Sequence, residues 1–132
     1  MTSIEHLNPI KAPKEIVYQA LISQEGLGKV WTPKLSVRPE VGAINEFDFD
    51  EGYITKMKVL ELSENERVLW ECVDSDEEWI GTKISFELIE KDGITDVVLK
   101  HYDWRELTDF YRFCNYHWAM FLKRLKDYCE GK

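Results

Sequence analysis

From Ile44 to Tyr102 apolar and polar residues alternate almost without interruption. INEFDFD, YITKMKVLEL, RVLWECV, TKISFELI and TDVVLKHY each keep a period of two, the repeat of a strand with one buried face. Turn chemistry separates them: Glu51-Gly52, Glu64-Asn65, the acidic run Asp74-Ser75-Asp76-Glu77-Glu78, and Asp92-Gly93. An Asp-Gly pair between two alternating runs is a strong hairpin signal. Short turns between successive strands predict an antiparallel meander. Ser3 to Ile10 predicts a further strand ahead of it, closed by Pro9 and Pro13.

Two stretches keep a helical period instead. Pro13 suits the first turn of a helix, Glu15 lies near its positive end, and Ile16, Val17, Ala20 and Leu21 form its apolar stripe. A shorter helical piece over Gln24–Trp31 carries Gly26 and Gly28. The last segment predicts a long helix. Asp103-Trp104-Arg105-Glu106 resembles a capping box with Asp103 as N-cap, Thr108 competes as the start, and Gly131 supplies the stop. At 100° steps Leu107, Phe110, Tyr111, Cys114, Trp118, Phe121, Leu122, Leu125, Tyr128 and Cys129 share one arc of about 120° that holds no charged residue. Phe113, Tyr116, His117 and Met120 make a second stripe beside it, which calls for a covering segment or another chain.

The sum is an α+β chain: a curved antiparallel sheet of about six strands on a long C-terminal helix, with one or two short helices after the first strand. A twisted sheet meets such a helix closely at one end and diverges at the other, leaving a wedge to be filled or kept open. Alternation points Phe47, Phe49, Tyr53, Thr55, Met57, Val59, Val68, Trp70, Cys72, Ile84, Phe86, Leu88, Val97, Leu99 and His101 inward. That mixture of aromatics and Met with Thr, Tyr and His suits an apolar cavity with a few orienting polar groups. The expected lining is Phe49, Met57, Trp70, Phe86, His101, Tyr111 and Trp118; the expected interface is Phe113, Tyr116 and Met120.

Composition narrows the partners. The 132 residues carry a net charge of −8, with 44% hydrophobic and 13% aromatic content. Such a chain has the apolar content for one packed domain over residues 1–132, and mixed charge argues against disorder. Neither nucleic acid nor an anionic lipid surface suits an acidic chain without a basic face. No apolar run is long enough for a membrane span, and the N-terminus does not read as a signal peptide. Cys72, Cys114 and Cys129 lack paired spacing, which fits reduced thiols in a cytoplasm.

Four motifs in order resemble one family. In KAPKEIVYQALISQEGLGKVWTP the matching positions are Ala12, Pro13, Val17, Tyr18, Ala20, Leu21, Leu27, Trp31 and Pro33. VLELSENERVLWECV resembles a central hairpin ending in Trp70. TKISFELIEKDGITDVVLKHYDW resembles a closing hairpin through Phe86, Leu88, Thr95, Val97, Leu99 and His101. WAMFLKRLKDYCEG matches a terminal helix through Trp118, Leu122, Leu125 and Tyr128. Together they resemble the START/birch-allergen-like (SRPBCC) superfamily, and within it the Aha-type family named for the activator of the heat-shock protein 90 ATPase. The resemblance implies a helix-grip fold over a cavity. It implies no single activity, because the superfamily holds lipid carriers, hormone receptors and polyketide cyclases. The family name adds a stress-response, co-chaperone-like expectation, although one domain would lack the rest of the full co-chaperone.

Catalytic chemistry has little support. His101 ends an inward alternation and could orient a ligand or act as a base, but a histidine satisfied by a structural partner is the simpler reading. His6 and His117 have no metal spacing, there is no GxSxG elbow, and the lone Gly26-Leu27-Gly28 sits on a helical segment. No metal or cofactor is expected. The acidic run at residues 74–78 reads as an exposed hairpin loop. Non-enzymatic binding of a small hydrophobic or amphipathic ligand therefore ranks first. A protein-interaction or co-chaperone-like module, with a homodimer or another protein as partner, ranks second. A cyclase- or dehydratase-like enzyme, resting on His101 and tyrosines, ranks third.

Overall fold

The computed structural model describes residues 2–49, 54–75, 77–104 and 108–131. The period-two segments form β3 (Ile44–Asp48), β4 (Ile54–Ser63), β5 (Arg67–Asp74), β6 (Lys83–Lys91) and β7 (Ile94–Trp104), preceded by β1 (Thr2–Ile10) and a two-residue β2 (Leu35–Ser36). The helices are α1 (Lys14–Ile22), α2 (Gln24–Val30) and α3 (Asp109–Cys129). All strands join one antiparallel 7-stranded sheet in the order β1-β7-β6-β5-β4-β3-β2. The sheet thus has one strand more than the alternation gave, because β2 is too short to show a period. This is the α+β helix-grip architecture.

Local chemistry explains the connections. The β6–β7 turn places Asp92 at φ 54° and Gly93 at φ 79°, the left-handed pair of a two-residue hairpin. Register shifts in the β4–β5 ladder at Lys56/Met57 and Val59/Glu61 bend the sheet around α3. Ser23 ends α1 through its N–H to the Gln19 carbonyl and starts α2 by accepting from the Gly26 N–H at 3.0 Å. The resulting sharp corner brings Gly26 so close to α1 that a Cβ would lie 2.2 Å from the Ala20 carbonyl oxygen.

Two helix expectations change. Thr108, not Asp103, caps α3: its Oγ1 accepts from the Tyr111 N–H at 3.2 Å. Asp103 stays in β7 at φ 69° and pairs with Lys83 at 2.8 Å, while Glu106 lies outside the described residues. The buried stripe of α1 is Val17, Tyr18, Ala20 and Leu21, and Ile16 is turned out. Helix α1 packs on the sheet as well as on α2, so Tyr18 is drawn under cover that a single-stripe reading omits.

The inward parity of the strands holds for every described position. Phe47, Thr55, Met57, Val59, Val68, Trp70, Cys72, Ile84, Phe86, Leu88, Val97, Leu99 and His101 are buried, and Phe49 is half-buried. Tyr53 lies outside the described residues, as does Leu107 of the helix arc. From α3, Cys114, Trp118, Phe121, Leu122 and Leu125 complete the core. The β1 edge is covered by the same helix: Tyr111 donates its hydroxyl to the Ser3 carbonyl at 2.6 Å, and Asn8 donates its amide to the Leu122 carbonyl at 2.9 Å.

Candidate functional site

The centre of the wedge is filled with rings. Trp31, the C-cap of α2, lies 4.5 Å from Phe47, 6.1 Å from Trp70, 5.5 Å from Trp118 and 5.6 Å from Phe121, centroid to centroid. Phe86 closes the other side of Trp70 at 5.2 Å, and Met57 is wholly buried. Each such ring pair adds about 0.5–1.5 kcal/mol beyond the area that it buries. Loop geometry thus delivers a tryptophan to the place where strand alternation alone leaves room for a cavity.

His101 is the polar hub of this packing. Indole N–H groups can only donate, so the 2.9 Å contact from Trp118 Nε1 makes Nδ1 of His101 an acceptor. Thr82 donates its hydroxyl hydrogen to the Trp79 carbonyl at 2.6 Å, and its Oγ1 therefore accepts from Nε2–H of His101 at 2.7 Å. Both ring nitrogens are used and the ring is neutral. Burial pushes its pKa down to about 3. Trp104 donates its indole N–H to the His101 carbonyl at 3.1 Å, and Trp79 stands edge-on to the imidazole at 4.9 Å. A histidine with both nitrogens committed and no exposed surface positions three tryptophans and has no lone pair left for general-base work.

A cavity of about 390 Å³ opens at the wide end of the wedge. The strand ends contribute Phe49, Thr55 and Ser75, the loops contribute Trp31 and Trp79, and α3 contributes Phe110, Phe113, Cys114 and His117. Thr55 is fully buried and its Oγ1 lies 2.9 Å from Ser75 Oγ, so only one of the two hydroxyl hydrogens is used between them. The indole N–H of Trp79 donates to Cys114 Sγ at 3.1 Å, which holds that ring against the helix. Phe113 and His117, 4.2 Å apart, stand at the exposed rim.

Of the seven residues expected to line a cavity, the structure brings Phe49 to it. Met57, Trp70 and Phe86 are buried in the core, His101 and Trp118 are bonded to each other, and Tyr111 is turned towards β1 and Trp104. Trp31 and Trp79 were missed as lining residues. Trp79 carried a readable signal, being a tryptophan at the end of an otherwise acidic run; it lies in a turn, and its ring packs edge-on to His101 and donates to Cys114. In the second stripe of α3, Phe113 and Tyr116 are 58% and 63% exposed, while Met120 is half-buried on a helix that α2 also touches. Among the described residues no group of three His, Cys, Asp or Glu side chains is placed to hold a metal ion. Nor is any described helix long and apolar enough to cross a membrane.

Residues 11–130 match the family model described as Activator of Hsp90 ATPase homolog 1-like protein. The chain belongs to that family. It is similar to a solved Aha1 dimer from Colwellia psychrerythraea, with 41% identity and a TM-score of 0.90 over 98% of this chain and 97% of that one. A Mesorhizobium loti protein shares the fold at 18% identity, with a TM-score of 0.85 over 96% and 95% of the two chains. DynU16, a protein of the dynemicin biosynthetic locus, does so at 18% identity and a TM-score of 0.81, over 97% of this chain and 47% of its own. A search of curated proteins finds no significant match.

Proposed function

We propose that the protein is a non-enzymatic binding module that holds a small apolar or amphipathic ligand in the cavity at the wide end of the wedge. The observation that carries this reading is the cavity itself: about 390 Å³, walled by rings and provided with a hydroxyl pair, buried Thr55 and half-buried Ser75. The two hydroxyls in it are bonded to each other, and the buried histidine nearby is fully bonded. Native mass spectrometry of protein purified from its own host should reveal a co-purifying small molecule. Ser75→Phe, which fills the cavity from a loop, should remove that mass while the circular-dichroism spectrum is kept. A chain that carries no mass, or a mass that survives Ser75→Phe, refutes the reading.

A homodimer is the second reading, supported by the two exposed aromatics of α3 and by the dimeric state named for the 41%-identical relative. Phe113 belongs both to this stripe and to the cavity rim, so a second copy seated there would lie beside the mouth. Tyr116→Glu with Met120→Lys should convert the sedimenting species to a monomer. A wild type that is already monomeric at micromolar concentration refutes the dimer. Three cysteines of which none forms a disulfide favour a cytoplasmic setting.

A further inference from the structure

The exposed stripe of α3 continues past its apolar residues. At 100° steps Asp109, Phe113, Tyr116, His117, Met120 and Arg124 share one arc of about 100°, beside the arc that faces the core. Its centre is apolar and aromatic, and its two ends carry opposite charges. Asp109 is in the first turn of the helix and its side chain is wholly exposed. Among the described residues it pairs with Arg112 at 3.0 Å, an exposed i,i+3 contact of a kind that contributes little. Arg124 is exposed and forms no ion pair with a described residue. The order along the helix is self-complementary. A two-fold axis crossing α3 between Tyr116 and His117 sets a second α3 antiparallel to the first. Asp109 then faces the partner's Arg124 at both ends, Phe113 faces the partner's Met120, and Tyr116 faces the partner's His117. From Asp109 to Arg124 the helix rises roughly 22 Å. Two helices crossing at about 20° stay within side-chain reach over that length.

Resting on the homodimer reading above, we infer that the second copy docks through this stripe as an antiparallel, isologous pair of α3 helices, its register fixed by Asp109 and Arg124 of opposite copies. The centre supplies the apolar contact, a thioether on an aromatic ring twice over. The charged ends exclude a parallel pair, which would bring Asp109 against Asp109 and Arg124 against Arg124. Phe113 also lines the cavity, so the partner's Met120 seats at the cavity rim of each copy.

Charge reversal reads the register directly, with sedimentation equilibrium as the measure of each Kd. Asp109→Lys and Arg124→Glu should each weaken the homodimer about tenfold or more, because each sets two like-charge contacts in place of two ion pairs. The double variant Asp109→Lys/Arg124→Glu should regain the wild-type Kd. An equimolar mixture of the two single variants should form dimers at a concentration where each alone is a monomer, since both contacts of the mixed pair join opposite charges. Added salt should shrink all these differences. Circular dichroism should show every variant folded, because both side chains are exposed. A wild type that is monomeric at micromolar concentration sinks the homodimer reading and this pairing with it. A wild-type dimer that the single variants leave intact, or a mixture no tighter than its components, overturns the α3 pairing and leaves the homodimer reading standing.

Discussion

His101 ties stability to pH in a way that can be worked out beforehand. In the folded chain its Nδ1 accepts from Trp118, its Nε2–H donates to Thr82, and burial keeps the ring neutral down to about pH 3. In the unfolded chain the same imidazole takes up a proton near pH 6.5. Between these values the unfolded state binds one proton more than the folded state, so stability is lost as pH falls. The slope approaches about 1.4 kcal/mol per pH unit, and from pH 7.5 to 4.5 the loss through this one group is about 2–3 kcal/mol. Against a usual total of roughly 5–15 kcal/mol that is large. Urea unfolding followed by tryptophan fluorescence should be measured at both pH values for the wild type and His101→Gln. Gln can replace part of the hydrogen bonding but cannot take the proton, so subtracting its pH profile cancels every other titrating group. The wild type should lose about 2–3 kcal/mol more than the variant over this range. Parallel profiles would refute the buried neutral imidazole. If His101→Gln does not fold, the His101 ring signals of the wild type decide: they should report the neutral Nε2–H form down to pH 4.5.

Trp31→Ala should cost about 3–5 kcal/mol and join the cavity to the space among Phe47, Trp70, Trp118 and Phe121; a cost under about 1 kcal/mol in urea unfolding would show that the indole is not a plug. Gly26→Ala should destabilise by on the order of 2 kcal/mol or more although helix propensity alone favours it, because the new Cβ meets Ala20 backbone that cannot move aside. A stabilised Gly26→Ala would contradict that contact. Burial pushes the Cys72 and Cys129 thiols up to about 12 and about 11, so both should resist Ellman's reagent at pH 8 in the native protein and react at once in urea. Rapid native labelling of Cys72 would count against its packing.

Much of the architecture was legible because it follows from a period. Alternation over β3 to β7 assigned the inward face correctly at every described position, since adjacent side chains of a strand must point to opposite sides. Asp92-Gly93 announced its hairpin because few residues tolerate two successive left-handed conformations. The α3 arc was equally readable, and four spaced motifs carried the family. What escaped was everything that period does not encode. Two residues of β2 show no repeat, and a cap at Thr108 rather than Asp103 depends on where β7 stops. The cavity moved for the same reason. Its expected centre is occupied by Trp31, a residue at a helix end, and its wall includes Trp79, a residue in a loop. Neither lies in a periodic segment, so the direction of each ring is decided by the corner at Gly26 and by the Cys114 thiol. The sequence determined which side chains face the interior; only the packing of loops against that interior decided where it is full and where it stays open.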